Sequence, residues 1–371
     1  MAMIGVPVGR RLLLSERRRA ILGTAGVSVA LLLILVLNGI VDGAMERVTH
    51  YIDTSPAGVF VAQSGVSNMH MASSTLPLSN LDRIRATSGV VWAEPILYET
   101  DSLVASADQR LMSYVIGYEP GRPGGPPGSV RGATPGPGEI VLDVQAAKDV
   151  GVGIGDRVNI LGRSWRVSGL TDQLTNIAST ISFVRFDDFA GARSLPPIAS
   201  FVLVGTSGSA QAVAERIAAE TGLTALTTSR FAASERRLVR DMAAQIMQIM
   251  TLAAFVIGVA VIGLLLYAGT LSRLREVGVM KALGAGMRRL VAHVLSQAAW
   301  TVGVAFMLAV VIAELLGLAL GALGSNVTLV LTRSSVVEAG LGGVVLGAAG
   351  ALAPVVRMAR VDPATVFRRP S

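Results

Sequence analysis

Four long apolar runs alternate with mixed segments along this chain, and their lengths predict the architecture. Residues 20–41, AILGTAGVSVALLLILVLNGIV, hold no charge over 22 positions. At about 1.5 Å of rise per residue, such a helix covers the ~30 Å apolar core of a bilayer. The runs at 243–271, 290–322 and 336–356 read the same way, so four transmembrane helices are expected. A cleaved signal peptide competes for the first run because its flank is basic. The run is longer than a signal core, however, and cleavage after Ala44 would set Asp42 at an unfavourable position. A retained helix is the better reading.

Between the first two runs the pattern changes. GEIVLD (138–143) reads as a strand and VQAAKDVG as a short helix. DRVNILGRSWRVSGL gives two strands joined around Gly162–Arg163, and ASFVLVGT followed by SAQAVAERIAAETG gives a strand, then an amphipathic helix closed by Gly222. Segment 42–242 is therefore expected to form a mixed α/β domain, in two lobes, inserted between the first and second membrane helices. Residues 119–138, EPGRPGGPPGSVRGATPGPG, are 13 Pro or Gly out of 20 and predict an irregular loop. Residues 228–245, TSRFAASERRLVRDMAAQ, look helical and lead straight into the second run, as a continuous stalk or an ordinary amphipathic lead-in.

Composition supports the membrane class, with 51% hydrophobic residues and a mean hydropathy of +0.59. The absence of Cys excludes disulfides and thiolate metal sites. A net charge of +7 raises nucleic acid as a partner, but its distribution argues against that. The segment before the first run, the loop after the second and the tail hold 14 basic residues against three acidic ones, whereas 42–241 holds 17 basic and 20 acidic. Basic residues beside membrane spans orient the chain. The amphipathic N-terminus 1–19, the loop 272–289 and the tail 357–371 are thus expected in the cytoplasm, with 42–242 and the short loop 323–335 outside. Attraction to anionic lipid is compatible with the same charges. Among the polar residues of the last two runs, His293 and Glu338 fall near ends where water is in reach. Glu314 lies deeper, yet its run is long enough to bring it toward the outer surface, so a proton relay is the weaker reading.

Catalytic chemistry is hard to find. GVGIGD (151–156) follows a helix and precedes a strand, the reverse of a phosphate loop, and reads as turn glycines. The two lysines, Lys148 and Lys281, follow Ala147 and Met280, which rules out a Walker A loop. His50, His70 and His293 lack zinc spacing, and SGVSN (64–68) lacks the last Gly of a nucleophile elbow. No catalytic, cofactor or metal residue is assigned.

Residues 272–289 are long for a chain reversal. Arg273, Arg275, Glu276, Lys281, Arg288 and Arg289 are charged, while Val277, Val279, Met280, Ala282 and Leu283 form an apolar face, which predicts an amphipathic helix. LREVGVMKALGAGMRRL (274–290) resembles the RE-x-G-x-x-[RK]-A-[LI]-G-A segment of the FtsX/MacB family of ABC transporter permeases. Arg275, Glu276, Gly278, Lys281, Ala282, Leu283, Gly284 and Ala285 match it position by position. Residues 138–170 are similar to the family's exterior core and ARVDPATVFR (359–368) to its tail, so the resemblance spans essentially the whole chain.

That resemblance implies a coupling helix that docks into a separate ATPase through Arg275, Glu276, Val277, Gly278, Met280, Lys281, Ala282, Leu283 and Gly284. Val277, Met280 and Leu283 would fill an apolar groove, Arg275, Glu276 and Lys281 would pair at its rim, and Gly284 and Gly286 would end the helix. A helix lying on anionic lipid is the alternative. The implied assembly is two copies of the ATPase, which bind ATP and Mg, on a permease paired with a second copy of itself or a homologous permease in the lipid bilayer. An extracytoplasmic accessory protein is a further partner of this kind. The implied activity is export or extraction of a substrate by ATP-driven movement of the exterior domain. From a different class comes a non-transporting transmitter that activates an extracytoplasmic partner such as a cell-wall hydrolase.

Overall fold

The computed structural model describes residues 17–106, 109–175, 179–272, 286–323 and 327–359. The chain divides into a helical unit (1–42, 243–323 and 329–371) and a unit built mainly from 43–242.

Among the described residues the helical unit holds most of four long helices: α1 (Arg17–Asp53), α6 (Thr228–Ser272), α7 (Met287–Ala322) and α8 (Arg333–Ala359). By length and composition each has a stretch able to cross a membrane. Their shared core includes Val27, Leu31, Leu35, Ile262, Leu266, Val294, Ala305 and Leu346. Small residues allow the helices to approach closely. A Cβ on Gly26 of α1 would lie 2.8 Å from Val261 Cγ1 of α6, and one on Gly350 of α8 would lie 2.5 Å from Ile262 Cγ2. Apolar side chains gain nothing from leaving lipid, so this contact at short range is what favours association. A polar knot adds to it. Asp42 of α1 accepts hydrogen bonds from Ser335 Oγ at 2.5 Å and Thr332 Oγ1 at 2.9 Å, while Thr332 Oγ1 accepts from Ser335 N and so caps α8.

The second unit is mixed α/β, with elements in the order β1 (Val59–Ala62), β2 (Leu76–Pro77), α2 (Asn80–Ala86), β3 (Val90–Ser106), β4 (Gln109–Tyr118), β5 (Arg131–Gly132), β6 (Glu139–Asp143), α3 (Val144–Asp149), β7 (Arg157–Ile160), β8 (Arg163–Thr171), β9 (Thr180–Arg185), α4 (Phe186–Arg193), β10 (Ile198–Ala199), β11 (Phe201–Thr206), α5 (Ala210–Thr221) and β12 (Thr224–Thr227). Strand order in the main sheet is β12-β1-β11-β3-β4-β9-β6-β8-β5, with β7 pairing β3 and β8. β4 with β9 and β6 with β8 are parallel, and the other pairs are antiparallel. β3 is long enough to serve both halves. Its first part pairs β11, from Phe201↔Ile96 to Thr206↔Val90, and its second pairs β4 from Leu97↔Gly117 onward.

Strand periodicity sorts the side chains onto two faces. Val59, Val61, Val202 and Val204 pack with Val213 and Ile217 of α5, which Ser209 caps and Gly222 ends in the left-handed conformation. The alternate residues Phe60, Phe201 and Leu203 join a different cluster with Tyr51, Ile52, Phe231 and Ala232. The end of α1 and the start of α6 therefore cover the other face of this sheet.

Two sequence expectations shift in detail. The β7–β8 turn is Leu161–Gly162, both at positive φ (54° and 71°), one residue earlier than expected. Leu161 tolerates that conformation because its side chain is buried and its N–H donates to Asp101 Oδ2 at 2.7 Å. Within the 119–138 stretch the two-residue strand β5 pairs with β8. Gly132 permits it, since a Cβ there would meet Ser168 O at 2.5 Å.

Candidate functional site

Arg275, Glu276, Val277, Gly278, Met280, Lys281, Ala282, Leu283 and Gly284, the residues assigned to ATPase docking, lie outside the described residues. The structure does describe their flanks. α6 runs to Ser272, and α7 begins at Met287 after Gly286, with Arg288 and Arg289 exposed in its first turn.

At the other end of α6 the helix is built into the α/β domain. Phe231 and Ala232 are fully buried, and the Phe231 ring stacks on Phe60 with centroids 4.9 Å apart and meets Phe201 edge-on at 5.8 Å. The last turns of α1 are anchored in the same unit. Tyr51 donates its hydroxyl hydrogen to Gly124 O at 2.8 Å, and Arg47 Nη1 donates to Thr175 O. The two helices also bind one another there. Arg236 Nη1 of α6 donates to Asp53 Oδ2 at 2.8 Å and to Thr49 Oγ1 at 2.7 Å, while Thr49 Oγ1 donates to Asp53 Oδ2. This ion pair is partly exposed, so it contributes at most about 1 kcal/mol. The aromatic contacts dominate.

Glu235 lies one helical turn beyond Phe231 and is fully buried. Its Oε1 accepts from the main-chain N–H of Met69 and of His70, the latter at 3.1 Å, and its Oε2 pairs with His70 Nδ1 at 3.0 Å. Above this carboxylate the His70 ring packs edge-on to Tyr114 at 4.5 Å, and Tyr114 stacks on Tyr98 at 5.6 Å. Burial, and then the nearby Tyr114 and Glu235, push the Tyr98 phenol well above its usual range. It stays neutral, as does Tyr118, which burial pushes up to about 12.

GVGIGD is a turn. Gly151 and Gly155 have positive φ, Asp156 Oδ2 accepts from Gly153 N at 2.8 Å, and Gly155 N donates to Val167 O. The loop's own carboxylate already takes the Gly153 N–H.

Two family models match the chain: a MacB-like periplasmic core domain over residues 20–220, more than half of its length, and an FtsX-like permease C-terminal region over 249–363. This chain belongs to the FtsX/MacB-type family of ABC transporter permeases. It is a multi-pass membrane protein with its α/β domain between the first and second spans. Among similar proteins is an uncharacterized ABC transporter permease of Mycobacterium tuberculosis H37Rv, 26% identical over 362 residues, covering 96% of this chain and 97% of the relative. Another, from Mycobacterium bovis, is 23% identical over 361 residues with the same coverage. Among solved structures, the periplasmic region of MacB from Actinobacillus actinomycetemcomitans matches 49% of the permease and 94% of that chain, with 14% identity and a TM-score of 0.35. The extracellular domain of the transporter YknZ from Gram-positive bacteria matches 46% and 97%, with 11% identity and a TM-score of 0.33.

Sequence reasoning passed over Glu235 in the permease and weighed His70 only against zinc. One signal was present, because Glu235 follows Phe231 by four residues and so shares its helix face. What that face packs against was not legible.

Proposed function

We propose that this permease is the non-catalytic membrane subunit of an exporter that turns ATP hydrolysis on a separate ATPase into movement of its exterior domain. The observation that carries this reading is α6. It is one helix of 45 residues from Thr228 to Ser272, with its first turns buried in the α/β core and its last residue at the start of the segment assigned to docking. Hydrogen bonds from each N–H to the carbonyl four residues earlier run along this helix, which suits it to pass a push from one end toward the other. In this reading two ATPase copies bind ATP and Mg and dock on 272–285, a second permease copy completes the assembly, and a substrate is expelled or extracted on the outer side. Both termini lie in the cytoplasm. The placement of Arg288 and Arg289 supports that orientation. Two cations in the first turn oppose the helix dipole by about 0.3–1 kcal/mol each, so helix formation does not account for them, whereas retention of positive charge inside does.

The test lies in the docking segment. Gly278→Leu raises helix propensity by roughly 1 kcal/mol yet thickens the helix where the ATPase would approach. Glu276→Lys removes a rim pair but favours anionic lipid. Both variants should lose the cognate ATPase in pull-downs at unchanged expression, and both should lose ATP-dependent function. Full retention of binding and coupling by the two would remove the docking assignment.

A further inference from the structure

We infer that Glu235 is the positioning residue through which α6 moves the segment Met69–Ser74, one wall of a cavity in the α/β domain. The inference rests on the reading proposed above, in which α6 carries motion outward.

The cavity holds about 320 Å³, and its lining includes Met69, His70, Tyr98, Thr100, Ser200 and Phe201. One side is sheet: Tyr98 and Thr100 belong to β3, and Phe201 to β11. The opposite side is an irregular segment held at two places. At its base Ser74 Oγ accepts from Gln63 N at 2.9 Å, and Thr75 N donates to Gln63 Oε1 at 3.0 Å, which ties it to the end of β1. At its tip the polar contacts are with α6, through the two main-chain donors and the imidazole that converge on Glu235, while the His70 ring rests on Tyr114 and Tyr98 of the sheet. The tip thus answers to α6 through hydrogen bonds, and the base to β1.

What makes Glu235 a carrier is its burial. Both carboxylate oxygens are engaged, the residue is inaccessible to solvent, and the surroundings are Met69, Phe231, Ala232 and aromatic rings. Letting go of its donors would leave a carboxylate unpaired in apolar surroundings and would strand two amide groups, both strongly unfavourable. Displacing α6 while keeping the knot closed only requires the segment to follow. The neighbouring Arg236–Asp53 pair is partly exposed, so water can take over either partner and it carries no such obligation. With Phe231 held by Phe60 and Phe201, a tilt of α6 about that contact therefore changes the width of the cavity.

The experiment uses the full chain with its cognate ATPase in lipid nanodiscs. The native sequence lacks Cys, so Ser73→Cys and, separately, Ser164→Cys can each carry an environment-sensitive fluorophore, the first on the moving segment and the second on the β7–β8 hairpin. With wild-type Glu235, ATP should change the signal at both positions. Glu235→Leu should abolish the change at Ser73 and leave that at Ser164. Glu235→Gln should restore it, because the remaining amide oxygen still accepts from Met69 N and His70 N. An unchanged response at both positions in Glu235→Leu would overturn the proposal. Hydrogen exchange on the unmodified chain reads the same link without any variant at Glu235. The Met69 and His70 amides should stay protected during ATP turnover, and faster exchange there during turnover would mean that the knot opens and does not carry, which also overturns the proposal. If ATP moves neither reporter in the wild-type background, the exterior domain does not move and the parent reading falls together with this one.

Discussion

At the residue scale, two neighbours on α6 have very different energetic roles. Phe231 is fully buried between Phe60 and Phe201, so Phe231→Ala leaves a cavity where two rings made contact. The cost should be about 3–5 kcal/mol. Arg236→Ala removes a partly exposed pair with Asp53 and should cost less than about 1 kcal/mol. Chemical denaturation of the two variants, followed by fluorescence of the α/β domain, separates these values. Equal losses would mean that the polar contact between α1 and α6 matters as much as the aromatic one. Tyr118 follows the same pattern, because burial pushes its phenol up to about 12 and keeps it uncharged at physiological pH.

At the scale of elements, the continuity of α6 is the property that matters. Its 45 residues contain no proline. Gln248→Pro would remove one backbone hydrogen bond and clash with the carbonyl four residues earlier, a penalty of about 3 kcal/mol confined to one turn. The α/β domain should fold and the ATPase should bind as in the wild type, since neither involves that turn. ATP-dependent function should fall sharply, because a kinked rod bends under load. Normal function in a Gln248→Pro variant that binds its ATPase would show that motion does not pass through α6. The contrasting case is α8, which already contains Pro354 and remains helical from Arg333 to Ala359.

At the scale of the whole molecule, two expectations concern orientation and energy source. Ser129 is exposed in the Gly/Pro-rich stretch of the α/β domain. A Ser129→Cys variant should react with a membrane-impermeant thiol reagent in intact cells, with no other thiol in this chain to compete. Labelling only after lysis would invert the topology. The second expectation is that the purified chain hydrolyses no ATP by itself, since neither lysine follows a glycine and GVGIGD is closed on its own Asp156. Saturable turnover by a preparation free of the ATPase would remove the need for a partner.

Some of this was decided by the sequence without help. The four membrane helices follow from run length, because crossing ~30 Å of hydrocarbon needs about 20 apolar residues whatever they pack against. The caps at Ser209 and Gly222, and the strand periodicity of β6, β8 and β11, are local in the same sense, as is the 275–285 motif that points to the family. Other features needed distant partners. Leu161 holds a left-handed conformation, unusual for leucine, with its N–H received by Asp101, sixty residues away. β3 divides its length between two halves of a sheet whose strands lie on both sides of it in sequence. Glu235 read as one more charge on an amphipathic helix until folding brought Met69 and His70, more than 160 positions earlier, against its carboxylate. A buried charge is defined by what surrounds it, and those surroundings exist only once the chain has closed.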